Sequence, residues 1–97
     1  MLVRDEKNGQ IDPFSPDRLF ISLFESCRHR PSAISDARAL GGTITSQLLA
    51  PKNQHQPGVL KLSDLQTTAE RVLKHFDRTA YVHYQAYYGS KKPVKNN

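Results

Sequence analysis

The sequence predicts an α+β domain. A small three-stranded sheet, made of an N-terminal β-hairpin and one short strand, caps a bundle of about four helices. Three observations carry this. Asn8-Gly9 lies between two short runs of strand character, which is a hairpin signal. Later segments repeat their apolar residues at helical spacing. Val59-Leu60-Lys61-Leu62 is a short, largely apolar run bounded by Gly58 and Ser63. Elements this small cannot bury their faces separately, so the sheet is expected across one end of the helices.

Residues 3–14 read as the hairpin, with a tight turn at Asn8-Gly9 because both tolerate positive φ. Val3, Ile11 and Phe14 supply its apolar face, and Pro13 closes the second strand. Ser15 reads as an N-cap, Pro16 as the first helical residue and Asp17 as a first-turn acid. The first helix spans residues 16–28, with Leu19, Phe20, Leu23, Phe24 and Cys27 on one face, and His29-Arg30-Pro31 ends it. The second spans residues 35–49, through Ala37, Leu40, Ile44 and Leu48. Gly41-Gly42 in its middle costs about 1 kcal/mol per glycine relative to alanine. The helix is therefore either interrupted there or closely approached by another backbone.

Residues 50–58 are a loop by composition. After the third strand, residues 59–62, Ser63 and Gln66 match a capping box. The third helix carries Leu65, Ala69, Val72, Leu73 and Phe76 on one face. Residues 77–79 break or bend the chain. A last helix over residues 78–88 clusters Ala80, Tyr81, Tyr84, Tyr87 and Tyr88, with Gly89 as its stop. Residues 1–90 are expected to form one domain and residues 91–97 a basic flexible tail.

The chain has 97 residues, of which 37% are hydrophobic and 24% charged, a composition that suits a globular fold with a modest core. No apolar run approaches the roughly 18 residues of a membrane span, and the start lacks a signal-peptide core, so a cytoplasmic protein is expected. Cys27 stands alone, which excludes an internal disulfide and a multi-thiolate zinc site. The four histidines are scattered and make no metal-binding pattern. The formal charge of +5 points to an anionic partner such as nucleotide, nucleic acid or acidic protein, though part of the excess lies in the tail. No Ser-His-Asp signature, Gly-rich phosphate loop or carboxylate pair stands out, so no enzyme is expected.

Lys7-Asn8-Gly9, Asp12-Pro13-Phe14 and Asp17-Arg18-Leu19 follow one another at fixed spacing. "CRHRP" at 27–31, "LKLSDL" at 60–65 and "AYVHYQAYY" at 80–88 complete the order. In this order and spacing, residues 3–90 resemble the ATP-cone, the allosteric nucleotide-binding module of ribonucleotide reductase large subunits and of the bacterial repressor of their genes. The chain departs from that pattern. In an ungapped match Glu6 falls where the family has lysine, and Lys7 where it has arginine. Leu62 falls where reductases have threonine, Gln66 where they have histidine, and His83 where the closing helix has arginine. Gly89 stands where the repressors often have another arginine. A two-residue insertion in the hairpin would instead give Arg4 the first lysine's role, and the sequence leaves both registers open.

The resemblance implies a non-catalytic regulatory domain. It would bind ATP or dATP, with or without Mg2+, and control oligomerisation or partner docking. It further implies a link to ribonucleotide reductase or its transcriptional control. The chain shows neither a reductase barrel nor the repressors' zinc ribbon, so a stand-alone domain is expected, acting as a homo-oligomer or on a protein partner in trans.

A triphosphate needs several cations and donors at one end. Lys7 or Arg4 from the hairpin would meet Arg18, and Lys91 would arrive from the end of the last helix. Asp12 would contact ribose hydroxyls or a cationic neighbour. Val3, Ile11 and Leu62 would wall a purine slot, and Gln66 would offer an amide. Plainer roles stand beside these. Lys7 and Arg18 are solvated cations, Asp12 pairs across the hairpin, Leu62 is core, Gln66 belongs to the capping box and Lys91 to the tail. Two further functions follow: an interaction module derived from a cone that has lost nucleotide binding, and a small basic nucleic-acid binder using Arg4, Lys7, Arg28, Arg30, Lys52, Lys61 and the tail.

Overall fold

β1 (Leu2–Arg4) lies in the middle of a three-stranded mixed sheet, in a computed structural model that describes residues 1–50 and 58–89. It pairs antiparallel with β2 (Ile11–Pro13) and parallel with β3 (Val59–Lys61), giving the order β2-β1-β3. Four helices follow: α1 (Pro16–Ser26), α2 (Ala33–Leu49), α3 (Leu62–Phe76) and α4 (Arg78–Tyr87). This is the α+β architecture expected. The 50–58 loop and the tail fall outside the described residues, apart from Ala50 and Gly58.

The hairpin turn is wider than the Asn8-Gly9 dipeptide suggests. Asp5 N–H donates to Gln10 O at 2.8 Å, and Gly9 N–H donates to Asp5 O at 2.7 Å. Only Gly9 takes positive φ, at 74°, while Asn8 does not. Side-chain acceptors widen the loop: Asp5 Oδ1 takes Lys7 N–H at 2.9 Å, and Asn8 Oδ1 takes Gln10 N–H at 2.8 Å. Phe14 N–H donates to Met1 O at 2.8 Å, so the bonded pairs alternate along the ribbon and Pro13, opposite Leu2, sits at a non-bonded position. Its missing N–H therefore costs the ladder nothing. Ile11, expected on the apolar face, is exposed, whereas Val3 and Phe14 are half-buried.

Ser15 caps α1 as expected, its hydroxyl accepting from Arg18 N–H at 3.1 Å, with Pro16 in the first turn. The helix stops at Ser26, two residues early, because Cys27 leaves helical geometry and Arg30 N–H closes a turn on Cys27 O at 2.8 Å. Ser22 and Ser26 lie buried on its apolar side, satisfied by donating to Leu19 O at 2.7 Å and Ser22 O at 2.8 Å. α2 begins earlier than expected, at Ala33, and runs unbroken through Gly41-Gly42. Neither an interruption nor a close backbone is found. A Cβ on Gly41 would touch only Leu23 Cδ1 at 3.7 Å, and one on Gly42 would meet nothing.

β3 passes directly into α3, which starts at Leu62 with Lys61 as N-cap. The capping box is not formed. Ser63 lies inside the first turn and donates to Glu6 Oε2 at 2.7 Å, while Gln66 Nε2 donates to Tyr88 O at 3.1 Å. Asp77, extended at φ −160°, ends α3 and caps α4 by accepting from Ala80 N–H at 3.1 Å. Gly89 is buried, and a Cβ there would lie 2.9 Å from Gln85 Cα. No bulkier residue fits where α4 stops.

Each helix packs on two others, α1 on α2 and α4, and α3 on α2 and α4. The centre holds Leu23, Ile44 and Leu73, fully buried, with Leu60 contributed by the sheet. Cys27 is buried here, and burial, with Asp36 and Asp77 nearby, pushes its thiol pKa up. At the far junction Arg30 ties the helices together. Nε donates to Asp36 Oδ2 at 2.7 Å, Nη1 donates to Asp77 Oδ2 at 2.8 Å, and the guanidinium lies 4.5 Å from the Phe76 ring centre.

Candidate ligand site

Between the ribbon, the start of α1 and helices α3 and α4 lies a cavity of about 480 Å³. This is within the range of small-molecule sites and is larger than a chain this short suggests. The ribbon contributes Asp5, Gln10 and Asp12. The Ser15 cap fixes the first turn of α1, which brings Arg18 to the wall. α3 adds Leu62, Leu65 and Gln66, one helical turn apart, and α4 adds Tyr84 and Tyr88, also one turn apart.

Two devices hold the aromatic wall. Gln66 fastens to the Tyr88 carbonyl, and the Tyr88 hydroxyl donates to Glu25 of α1. That bond to the Glu25 carboxylate raises the Tyr88 phenol's pKa. Burial, with Glu70 and Tyr88 adding to it, pushes Tyr84 up to about 12, so both tyrosines stay neutral at physiological pH. The two rings stand 5.7 Å apart, tilted. Asp12 is steadied by Gln10, whose amide donates to Oδ2 at 3.1 Å. Among the described residues no carboxylate forms an ion pair with Arg18.

Of the residues singled out from sequence, the cavity brings together Asp12, Arg18, Leu62 and Gln66, with Val3 as a further wall. Arg4 and Lys7 do not line it, and both are exposed. Ile11 is outside the lining as well, and Lys91 lies outside the described residues. In the nucleic-acid reading, Arg30 is committed to Asp36 and Asp77. Sequence reasoning missed Asp5, Gln10 and Leu65 as lining residues; Tyr84 belongs to the core, Tyr88 packs against it, and both also reach the cavity. The i, i+4 spacing of the tyrosines was the signal available.

The hairpin loop is fastened on its other side. Glu6 reaches the first turn of α3, where Ser63 donates through its hydroxyl at 2.7 Å and its backbone N–H approaches at 3.5 Å. The Ser63 hydrogen bond holds the Glu6 carboxyl below its ordinary pKa. Among the described residues no cluster of His, Cys, Asp and Glu is placed to hold a metal ion, and no helix is long and apolar enough to cross a membrane.

No family model matches the chain, and no curated protein matches it. The reading of this site therefore rests on its residues and their geometry.

Proposed function

We propose that this chain is a non-catalytic regulatory domain that binds an adenine nucleotide beneath the β-ribbon. Occupancy would alter its self-association or its docking on a protein partner. The observation that carries this reading is the cavity itself, which gathers Asp12, Arg18, Leu62 and Gln66 from three elements around one volume. Asp12 and Gln66 suit ribose and base, the aromatic and aliphatic walls suit a purine face, and Arg18 suits phosphate. Ligand binding shifts an assembly equilibrium only by its differential affinity for the two states. The ribbon and the exposed helix faces are the surfaces through which that difference would act. The resemblance to the ATP-cone adds a link to ribonucleotide reductase or to its transcriptional control as part of this proposal.

A second reading is an interaction module without nucleotide binding. It is favoured by Glu6, whose carboxylate occupies the start of α3, and by the absence of Arg4 and Lys7 from the lining.

A thermal-shift series with adenosine, AMP, ADP, ATP and dATP at millimolar concentration tests the first reading. A raised melting temperature is expected with at least one ligand and is expected to be lost in Arg18→Ala for the phosphorylated ones. No shift with any of them favours the second reading. A response to duplex DNA that collapses with salt would favour a nucleic-acid binder.

A further inference from the structure

We propose that the cavity selects a nucleoside or nucleoside monophosphate over the triphosphate. This rests on the nucleotide reading above and narrows it. Among the described residues the charged lining is Asp5 and Asp12 against Arg18, two carboxylates for one guanidinium. A triphosphate carries close to four negative charges at neutral pH, and its recognition calls for converging cations. Arg4 and Lys7, the ribbon's cations, are not in the wall.

Next to the lining residue Asp5, the loop carries a third carboxylate, Glu6. Glu6 sits on the first turn of α3, accepting from the Ser63 hydroxyl, so the donors a distal phosphate would use there already hold the protein's own anion.

The remaining lining fits the uncharged parts of a nucleotide. Asp5 and Asp12 can accept from sugar hydroxyls, with Asp12 held in place by Gln10. Phe14, Leu62, Leu65, Tyr84 and Tyr88 give an apolar and aromatic slot for the base. Arg18, in the first turn of α1, can fork onto two oxygens of one phosphate. The site thus has one anion seat and a donor-seeking rim.

Titration calorimetry at physiological salt, with adenosine, AMP, ADP and ATP on the whole chain and without Mg2+, tests this. AMP is expected to bind on the order of tenfold or more tightly than ATP, with ADP between, since like-charge contacts oppose the added phosphates. Glu6→Gln, which keeps a hydrogen-bonding side chain on Ser63, is expected to narrow the AMP-to-ATP gap severalfold while leaving AMP binding unchanged. ATP binding as tightly as AMP, or more tightly, overturns the selection proposed here and leaves the nucleotide reading standing. Failure of all four ligands to bind overturns both.

Discussion

Glu6 and Ser63, 57 residues apart in the chain, are joined by a hydrogen bond of 2.7 Å from the serine hydroxyl to the carboxylate. It links the tip of the ribbon to the first turn of α3 and so ties together two segments that carry the lining residues Asp5 and Leu62. Because folding lowers the Glu6 pKa, the stability it adds is full above the ordinary carboxylate range. That stability is lost as pH falls through the folded value.

Ser63→Ala is expected to release the loop at little global cost. The pair is exposed, so solvent screening limits the loss to a few tenths of a kcal/mol. Hydrogen exchange is the sensitive readout: the Gly9 and Gln10 amides should exchange faster while those of α2 are unchanged.

Asp77 should dominate acid sensitivity. Burial opposes its ionisation. Hydrogen bonds from His29, the Ala80 N–H and Arg30 outweigh burial and hold the carboxyl well below the usual carboxylate range. Its contribution is present above about pH 4, the ordinary Asp value, and is lost on acidification below that. Asp77→Ala removes the α4 cap and one of Arg30's two carboxylate partners, Asp36 remaining, an expected loss of about 2 kcal/mol near neutral pH. In melting-temperature profiles, the gap between wild type and variant should shrink toward low pH. A gap that widens there would contradict the assignment.

Gly42→Ala should stabilise the protein by up to about 1 kcal/mol, because the helix runs through this position and the added methyl meets nothing. Gly89→Ala should destabilise it, because the methyl would press on the Gln85 backbone. Denaturant midpoints for the two variants should move in opposite directions.

Leu23→Ala opens a void at the centre of the helix ring, where Leu23 is fully buried. A loss of about 3 kcal/mol is expected, read from chemical denaturation.

The helices were legible because their apolar periodicity reports burial directly: Leu19, Leu23 and Cys27, or Ala37, Leu40, Ile44 and Leu48, face the core as their spacing requires. The capping details that failed were decided by partners distant in sequence. Ser63 and Gln66 have capping-box spacing, yet Glu6 and the Tyr88 carbonyl claim their side chains. Asn8-Gly9 has the signature of a tight turn, but Asp5 and Asn8 supply acceptors that favour a wider loop. Propensity at Gly41-Gly42 calls for an interruption or a close backbone, yet the burial of Leu40 and Ile44 on either side outweighs the glycine cost and the helix runs on. The site was half legible. Asp12 and Arg18 flank the junction of ribbon and α1, whereas the wall from α4 depends on how the last helix packs back, which local pattern does not encode.

Pro13 has a consequence for assembly. β2 is the outer strand of the sheet, and an incoming strand would find the Ile11 amide but no donor two residues further on. The ribbon is a poor template for growth by strand addition, and this discourages fibre-like stacking of copies edge to edge.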